Sequence, residues 1–168
     1  ASAIGTCGPG LQLYALAAKE PAVQIENPRQ VSAFHYPRQY GRRSPSFSRA
    51  VLKAWGEGRE HLYISGTASI DHRGEILHPG NVLRQFDRTI ENIGALLEQA
   101  GATIADMSLF IVYVRDPADA AKARDEMRLR FGDAPVVAVT APVCRPGWLI
   151  EVEGQAIVPI SDPSLPEF

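Results

Sequence analysis

In LIEVEGQAIV, residues 149–158, polar and apolar side chains alternate: Glu151, Glu153 and Gln155 recur at every second position, with Ile150 and Val152 between them. Successive side chains of a strand point to opposite faces, so this stretch reads as a strand with one apolar and one acidic face. The apolar face asks for helices, and two helical patterns precede it. Residues 81–100 carry Val82, Phe86, Ile90, Ile93, Leu96 and Leu97 at helical spacing and stop at Gly101. Residues 117–131 open on Asp116 as cap with Pro117 at the first position, and end at Gly132. Further strands are predicted at 49–55, at 61–69 as its hairpin partner, at 108–114 and at 136–140. Two short ones are expected at 11–18 and 22–26. This order predicts an α+β fold, a mixed β-sheet with two helices packed on one face.

The chain's 168 residues, 45% apolar and 21% charged, suit one globular domain rather than a disordered or fibrous chain. A formal charge of −2, from 17 basic and 19 acidic side chains, offers no whole-molecule attraction to nucleic acid or to an anionic membrane. No apolar run reaches the roughly 20 residues that span a bilayer, and no signal-peptide pattern opens the chain. Cys7 and Cys144 belong to no CxxC or Cys/His cluster, which argues against a disulfide framework and a zinc site and for a cytoplasmic location. His35, His61, His72 and His78 lack ligand spacing, and Gly8 and Gly10 make no phosphate-loop motif, so neither metal nor organic cofactor is expected. The opening GTCGPGLQLYALAA reads like the middle of a strand-bearing domain rather than a beginning, so the chain is expected to be a fragment of something longer.

Basic charge concentrates between Asn27 and Arg59, where Arg29, Arg38, Arg42, Arg43, Arg49, Lys53 and Arg59 face a single acid, Glu57. Phe34, Tyr36, Tyr40, Phe47 and Trp55 are interleaved, and Pro28, Pro37 and Pro45 exclude a continuous helix. Such a segment can be a solvated loop. It can also grip carboxylates through forked arginine hydrogen bonds, or stack and neutralise single-stranded RNA. The acidic face of 149–158 is equally two-sided. Open to water it is ordinary; covered, it holds an acid in a dry cleft, where desolvation or a neighbouring carboxylate raises the pKa and makes a proton donor.

The run from Leu62 to Ile157, with YISGTASID, LLEQAGA, LFIVYVRD and LIEVEGQAI, resembles the YjgF/Rid superfamily, whose fold is a chorismate-mutase-like α+β domain that trimerises. The resemblance implies a cleft between subunits lined by Glu151 and the Ser65-Gly66-Thr67 stretch. Deaminases of that superfamily carry an arginine in a Pro-Ala-Arg-Ser motif; here Pro135-Val136-Val137 puts valine there. A longer resemblance, carried by ENPRQVSAFHYPRQYGRRSPSFSRA and VCRPGWLIEVEGQ, is to chorismatases, which cleave the enolpyruvyl ether of chorismate to pyruvate and a ring product. It implies a small dicarboxylate substrate, with Arg29, Arg38, Arg42, Arg43, Arg128 and Arg145 as candidate carboxylate ligands and Tyr36 and Tyr40 beside them. Glu151 is then the proposed acid and Gln155 an orienting amide. Cys144 is a contact beside the ring, as in members that form 3-hydroxybenzoate.

Chorismatases are about twice this length, so the resemblance implies an N-terminal domain before this chain. On this reading residues 1–59 form a substrate-gripping segment with short strands, and residues 60–168 a Rid-like domain, in a homotrimer or paired with that N-terminal domain. The ring product is expected to be 3- or 4-hydroxybenzoate, with neither nucleic acid nor membrane as partner. Two other readings stand beside it: a Rid-type imine or enamine deaminase, and an RNA-binding or ribonucleolytic protein for which the basic stripe is the warrant.

Overall fold

The computed structural model describes residues 2–55 and 58–158. Six strands form one sheet: β1 (Val23–Ile25), β2 (Ala50–Ala54), β3 (Glu60–Ala68), β4 (Met107–Val114), β5 (Val136–Thr140) and β6 (Ile150–Val158). Their spatial order is β1-β2-β3-β6-β4-β5, with only β4 and β5 parallel. The predicted mixed sheet is thus present, and β2 and β3 pair as the expected hairpin.

The helices α1 (Val82–Gln99) and α2 (Ala120–Phe131) cover one face of this sheet. Phe86, Ile93, Leu96 and Leu97 of α1 and Met127 of α2 join Leu62, Ile64, Phe110, Val112, Ile150 and Val152 in one core. The parity read from residues 149–158 holds: Ile150 and Val152 meet the helices, which turns Glu151 and Glu153 to the other face. Asn81 caps α1 by accepting from the Arg84 amide at 3.0 Å, and Gly101, at φ +72°, ends it in a conformation that favours glycine. Asp116 caps the second helical segment as expected, although its first turn, Pro117–Asp119, is a 3-10 turn.

One predicted strand is absent. Residues 11–18 pair with no strand, and Leu11 is 96% exposed, with Leu13 and Tyr14 also exposed. An apolar run alone was the signal, and a run without a ladder partner is not a strand.

The polar residues of α1 that face the sheet set the local geometry of the opposite side. Asn92 donates to the carbonyls of Ala68 and Ile70 at 3.0 and 3.2 Å, while Gln85 donates to Gly147 O at 3.0 Å and accepts from Leu149 N at 2.9 Å. Through these bonds the helix fixes the end of β3 and the loop that leads into β6. A second, smaller cluster, in which Trp148, Val143, Ala68 and Ile70 pack with Tyr36 and Tyr113, forms beside them.

Candidate active site

The sheet face without helices carries a cavity of about 690 Å³, within the range of small-molecule sites. Its floor is Glu151 on β6 and Gly66 on β3, and its walls come from the 36–49 segment and the 144–148 loop. The cover over Glu151 is therefore supplied by the same chain.

Glu151 is 3% exposed. Burial, and next the neighbouring charge of Glu153, push its carboxyl up to about 7, against the opposing pull of Arg49. Glu153 is itself held: the Tyr113 hydroxyl donates to one carboxylate oxygen at 2.5 Å and the Ser2 hydroxyl donates to the other. Burial, followed by the bond to Glu153, pushes the Tyr113 phenol above its ordinary range. The surroundings of Glu151 thus favour its protonated form, as suits a proton donor.

A bulge in β3 between Ile64 and Thr67 brings Gly66 against Glu151. The same bulge breaks the alternation of the strand. Thr67 pairs with Val152, whose side chain lies in the helix-side core, and donates its hydroxyl to Ser65 O at 2.8 Å, so its side chain faces away from the cavity.

Arg49 was counted among the basic residues but not among the ligands, and it is the most enclosed cation of the site. It is 4% exposed, its Nη2 donates to Val31 O at 2.7 Å, and its Nε has no partner. The guanidinium lies 5.7 Å from the Tyr36 ring and 5.3 Å from the Phe47 ring. No carboxylate pairs with it among the described residues. Across the cavity the Arg145 guanidinium lies 3.9 Å from the Tyr40 ring centroid and 5.0 Å from that of Trp148, and donates to Gly74 O at 2.7 Å. Arg43 contributes a third cation. Cys144 lines the same cavity and remains exposed; partial desolvation, then the neighbouring Glu151 charge, raises its thiol pKa. A thiol so held is protonated and a poor nucleophile.

The sequence-predicted residues Glu151, Cys144, Tyr36, Tyr40, Arg43, Gly66 and Arg145 are therefore brought together. The others are not. Arg29 pairs with Glu91 at 3.2 Å on the outside of α1, because Asn27 bonds Asn92 O and lays that part of the chain over the helix. Arg38 and Arg42 are exposed and lie outside the cavity lining; in the 3-10 turn Arg38–Tyr40 it is Gln39 and Tyr40 that reach the cavity. Gln155 lies four residues further along β6 than Glu151, about 13 Å by strand rise, and bonds His61 Nδ1 at 2.7 Å. Arg128 lines a separate cavity between α2 and β5. Val137 lies on β5, half exposed and outside the Glu151 cavity. Both cysteines are free, no group of three metal-ligating side chains occurs among the described residues, and no described helix is long and apolar enough to cross a membrane.

A mixed sheet with both helices on one face and an acid-bearing cavity on the other defines an α+β sandwich of the Rid type. The Rid-family protein YyfA from Yersinia pestis shares this fold with a TM-score of 0.65 at 21% identity, over 82% of this chain and all of that one (100%). Residues 44–158 match the family described as endoribonuclease L-PSP, and the chain belongs to that family. It is also 37% identical to the 3-hydroxybenzoate synthase of Streptomyces hygroscopicus, over 92% of this chain and 49% of that protein. A chorismatase crystal structure superposes with a TM-score of 0.75 at 31% identity, covering 82% of this chain and 44% of that one. The chain thus spans about half the length of these two relatives.

Proposed function

We propose that the cavity cleaves chorismate, releasing pyruvate and a hydroxybenzoate. The observation that carries this reading is the pairing, in one cavity, of a buried acid whose protonated form is favoured with the arginines Arg43, Arg49 and Arg145, of which the Arg49 guanidinium pairs with no carboxylate among the described residues. A substrate with two carboxylates and a protonatable enol ether meets both requirements, the carboxylates at the arginines and the enol ether at the acid. The similarity to a 3-hydroxybenzoate synthase and to a chorismatase supports the same substrate.

In this mechanism Arg49 and Arg145 take the carboxylates, and the Tyr36 and Tyr40 rings hold the two guanidiniums in place. Glu151 delivers its proton to the methylene carbon of the enolpyruvyl group. The enol ether becomes an oxocarbenium centre, which Glu151, now a carboxylate, stabilises. Where water adds, the bond between the pyruvyl carbon and the ether oxygen breaks, pyruvate leaves, and the dihydroxycyclohexadienoate that remains loses the elements of that water to become aromatic. Where the neighbouring ring hydroxyl adds, its own bond to the ring breaks, its oxygen leaves as the carbonyl of pyruvate, and loss of a ring proton restores the aromatic system. By either route chorismate divides into pyruvate and hydroxybenzoate with atoms in balance. Cys144 borders the space for the ring and acts by shape and polarity, and its size supports the 3-hydroxybenzoate outcome.

Incubating the full-length protein with chorismate, following pyruvate, and separating the ring products by chromatography tests this reading. Pyruvate with an equal amount of 3-hydroxybenzoate is expected; no pyruvate overturns it. Trimerisation, or pairing with a preceding domain, belongs to the same proposal, and light scattering on the full-length protein reads it.

A further inference from the structure

Arg115 follows the last residue of β4 and precedes the Asp116 cap, a position that the catalytic proposal does not use. Its side chain lies beneath the loop between β5 and β6. Nε donates to Trp148 O at 2.7 Å, and Nη2 donates to Val143 O at 2.7 Å and to Arg145 O at 2.8 Å. Its backbone N–H donates to Leu149 O at 2.9 Å. One residue thus reaches four carbonyls of the segment 143–149, and no carboxylate pairs with it among the described residues. A guanidinium in this role is a fork of fixed geometry, and hydrogen bonds from a charged donor are roughly twice as strong as neutral ones.

The clamped carbonyls bracket the residues that face the cavity. Val143 and Arg145 flank Cys144, and Trp148 is the wall against which Arg145 lies. From the helix side Gln85 holds Gly147 and Leu149. Glu151, by contrast, stands on β6, whose position is fixed by its ladders with β3 and β4.

We propose that Arg115 is a positioning residue that sets substrate affinity: by clamping the 143–149 loop it places Arg145, Trp148 and Cys144 against the substrate without taking part in proton transfer. The proposal rests on the chorismate reading for its kinetic consequence and on geometry alone for its structural one. Removing the fork leaves three carbonyls to find other donors, so the loop loosens. A loosened loop weakens ground-state and transition-state binding alike, which raises KM and spares kcat.

The test compares Arg115→Met and Arg115→Lys with the unaltered full-length protein. The readouts are steady-state kinetics on chorismate and the rate at which iodoacetamide alkylates Cys144, followed by mass spectrometry of its peptide. For Arg115→Met, KM is expected to rise about tenfold or more with kcat within about threefold. Cys144 alkylation is expected to be several-fold faster, and Arg115→Lys, which keeps the charge but not the fork, to fall between. Should Arg115→Met prove unstable at the assay temperature, Arg115→Lys carries the same comparison. Unchanged KM and alkylation rate overturn the proposal, as does a fall in kcat at constant KM. An unaltered protein that releases no pyruvate counts against the cleavage reading instead, and the alkylation rates then judge the clamp by themselves.

Discussion

Glu151 Oε1 and the α-carbon of Gly66 face each other across the β3–β6 ladder with no room for a methyl group between them. A Cβ on residue 66 would overlap the carboxylate and lie 2.9 Å from Ser2 Oγ. The glycine is required here for close approach, since its backbone is not in the left-handed region. Its place in the bulge of β3 is what lets the acid lie flat on the floor of the cavity.

Gly66→Ala is therefore expected to displace the Glu151 carboxyl. A displacement of about 1 Å at the reacting group costs on the order of 100-fold in rate. Overpacking should cost about 1–3 kcal/mol of stability. Pyruvate release and a thermal unfolding curve on the same sample measure the two effects.

Glu151 also gives stability a pH dependence of definite sign. Its folded pKa, raised to about 7 from an ordinary 4.5, means that the folded protein keeps a proton that the unfolded chain releases. The associated stability is complete below pH about 4.5 and is lost as pH climbs through 7. Glu151→Gln should match the unaltered protein at the acid end and exceed it above pH 7 by up to about 3 kcal/mol. Urea denaturation across this range reads the difference.

The groups facing Glu151 and Glu153 include Tyr113 from β4, Arg49 just before β2, Cys144 from the loop before β6, and Ser2. Replacing Glu153 by Gln removes the like charge that helps to keep Glu151 protonated. The alkaline fall of kcat, which reports loss of the Glu151 proton, should move down by about one pH unit. A pH–rate profile of Glu153→Gln on chorismate measures it.

Arg49 and Arg42 separate a small-anion cavity from a basic surface stripe. Arg49→Met, which keeps the bulk of the side chain, should raise KM for chorismate about 10- to 100-fold. Arg42→Ala should change it by less than about twofold, because Arg42 is exposed and outside the lining. An RNA-binding protein would show the reverse emphasis, with salt-sensitive affinity lost on changing Arg42 and Arg43.

Much of the architecture was legible because hydrophobic period carries it. Alternation in residues 149–158 placed Glu151 opposite the core, and the helical spacing of Phe86, Ile93 and Leu97 supplied the covering helix. Thr67 enters through the resemblance of the Ser65-Gly66-Thr67 stretch, and it faces the helices instead because the bulge reverses parity and leaves no mark in the sequence beyond a glycine. The strand expected at residues 11–18 rests on an apolar run, and strand formation needs a partner as well.

The arginines were the hardest to sort. Arg29, Arg38, Arg42 and Arg49 are the same residue type within one short segment, and which of them turns inward depends on contacts made far along the chain. Arg29 is drawn to Glu91 of α1, and Arg49 to Val31 and the Tyr36 ring. Arg145 was found because it lies in VCRPGWLIEVEGQ, next to the strand that carries the acid.

Pyruvate release from chorismate by the full-length protein, measured beside Glu151→Gln, bears most directly on the central claim. Steady pyruvate formation is expected from the unaltered protein. General acid catalysis contributes about 10²- to 10⁴-fold, and a loss of that size is expected in the variant. Absence of pyruvate in the first case, or an undiminished rate in the second, would contradict the assignment of Glu151 as the proton donor.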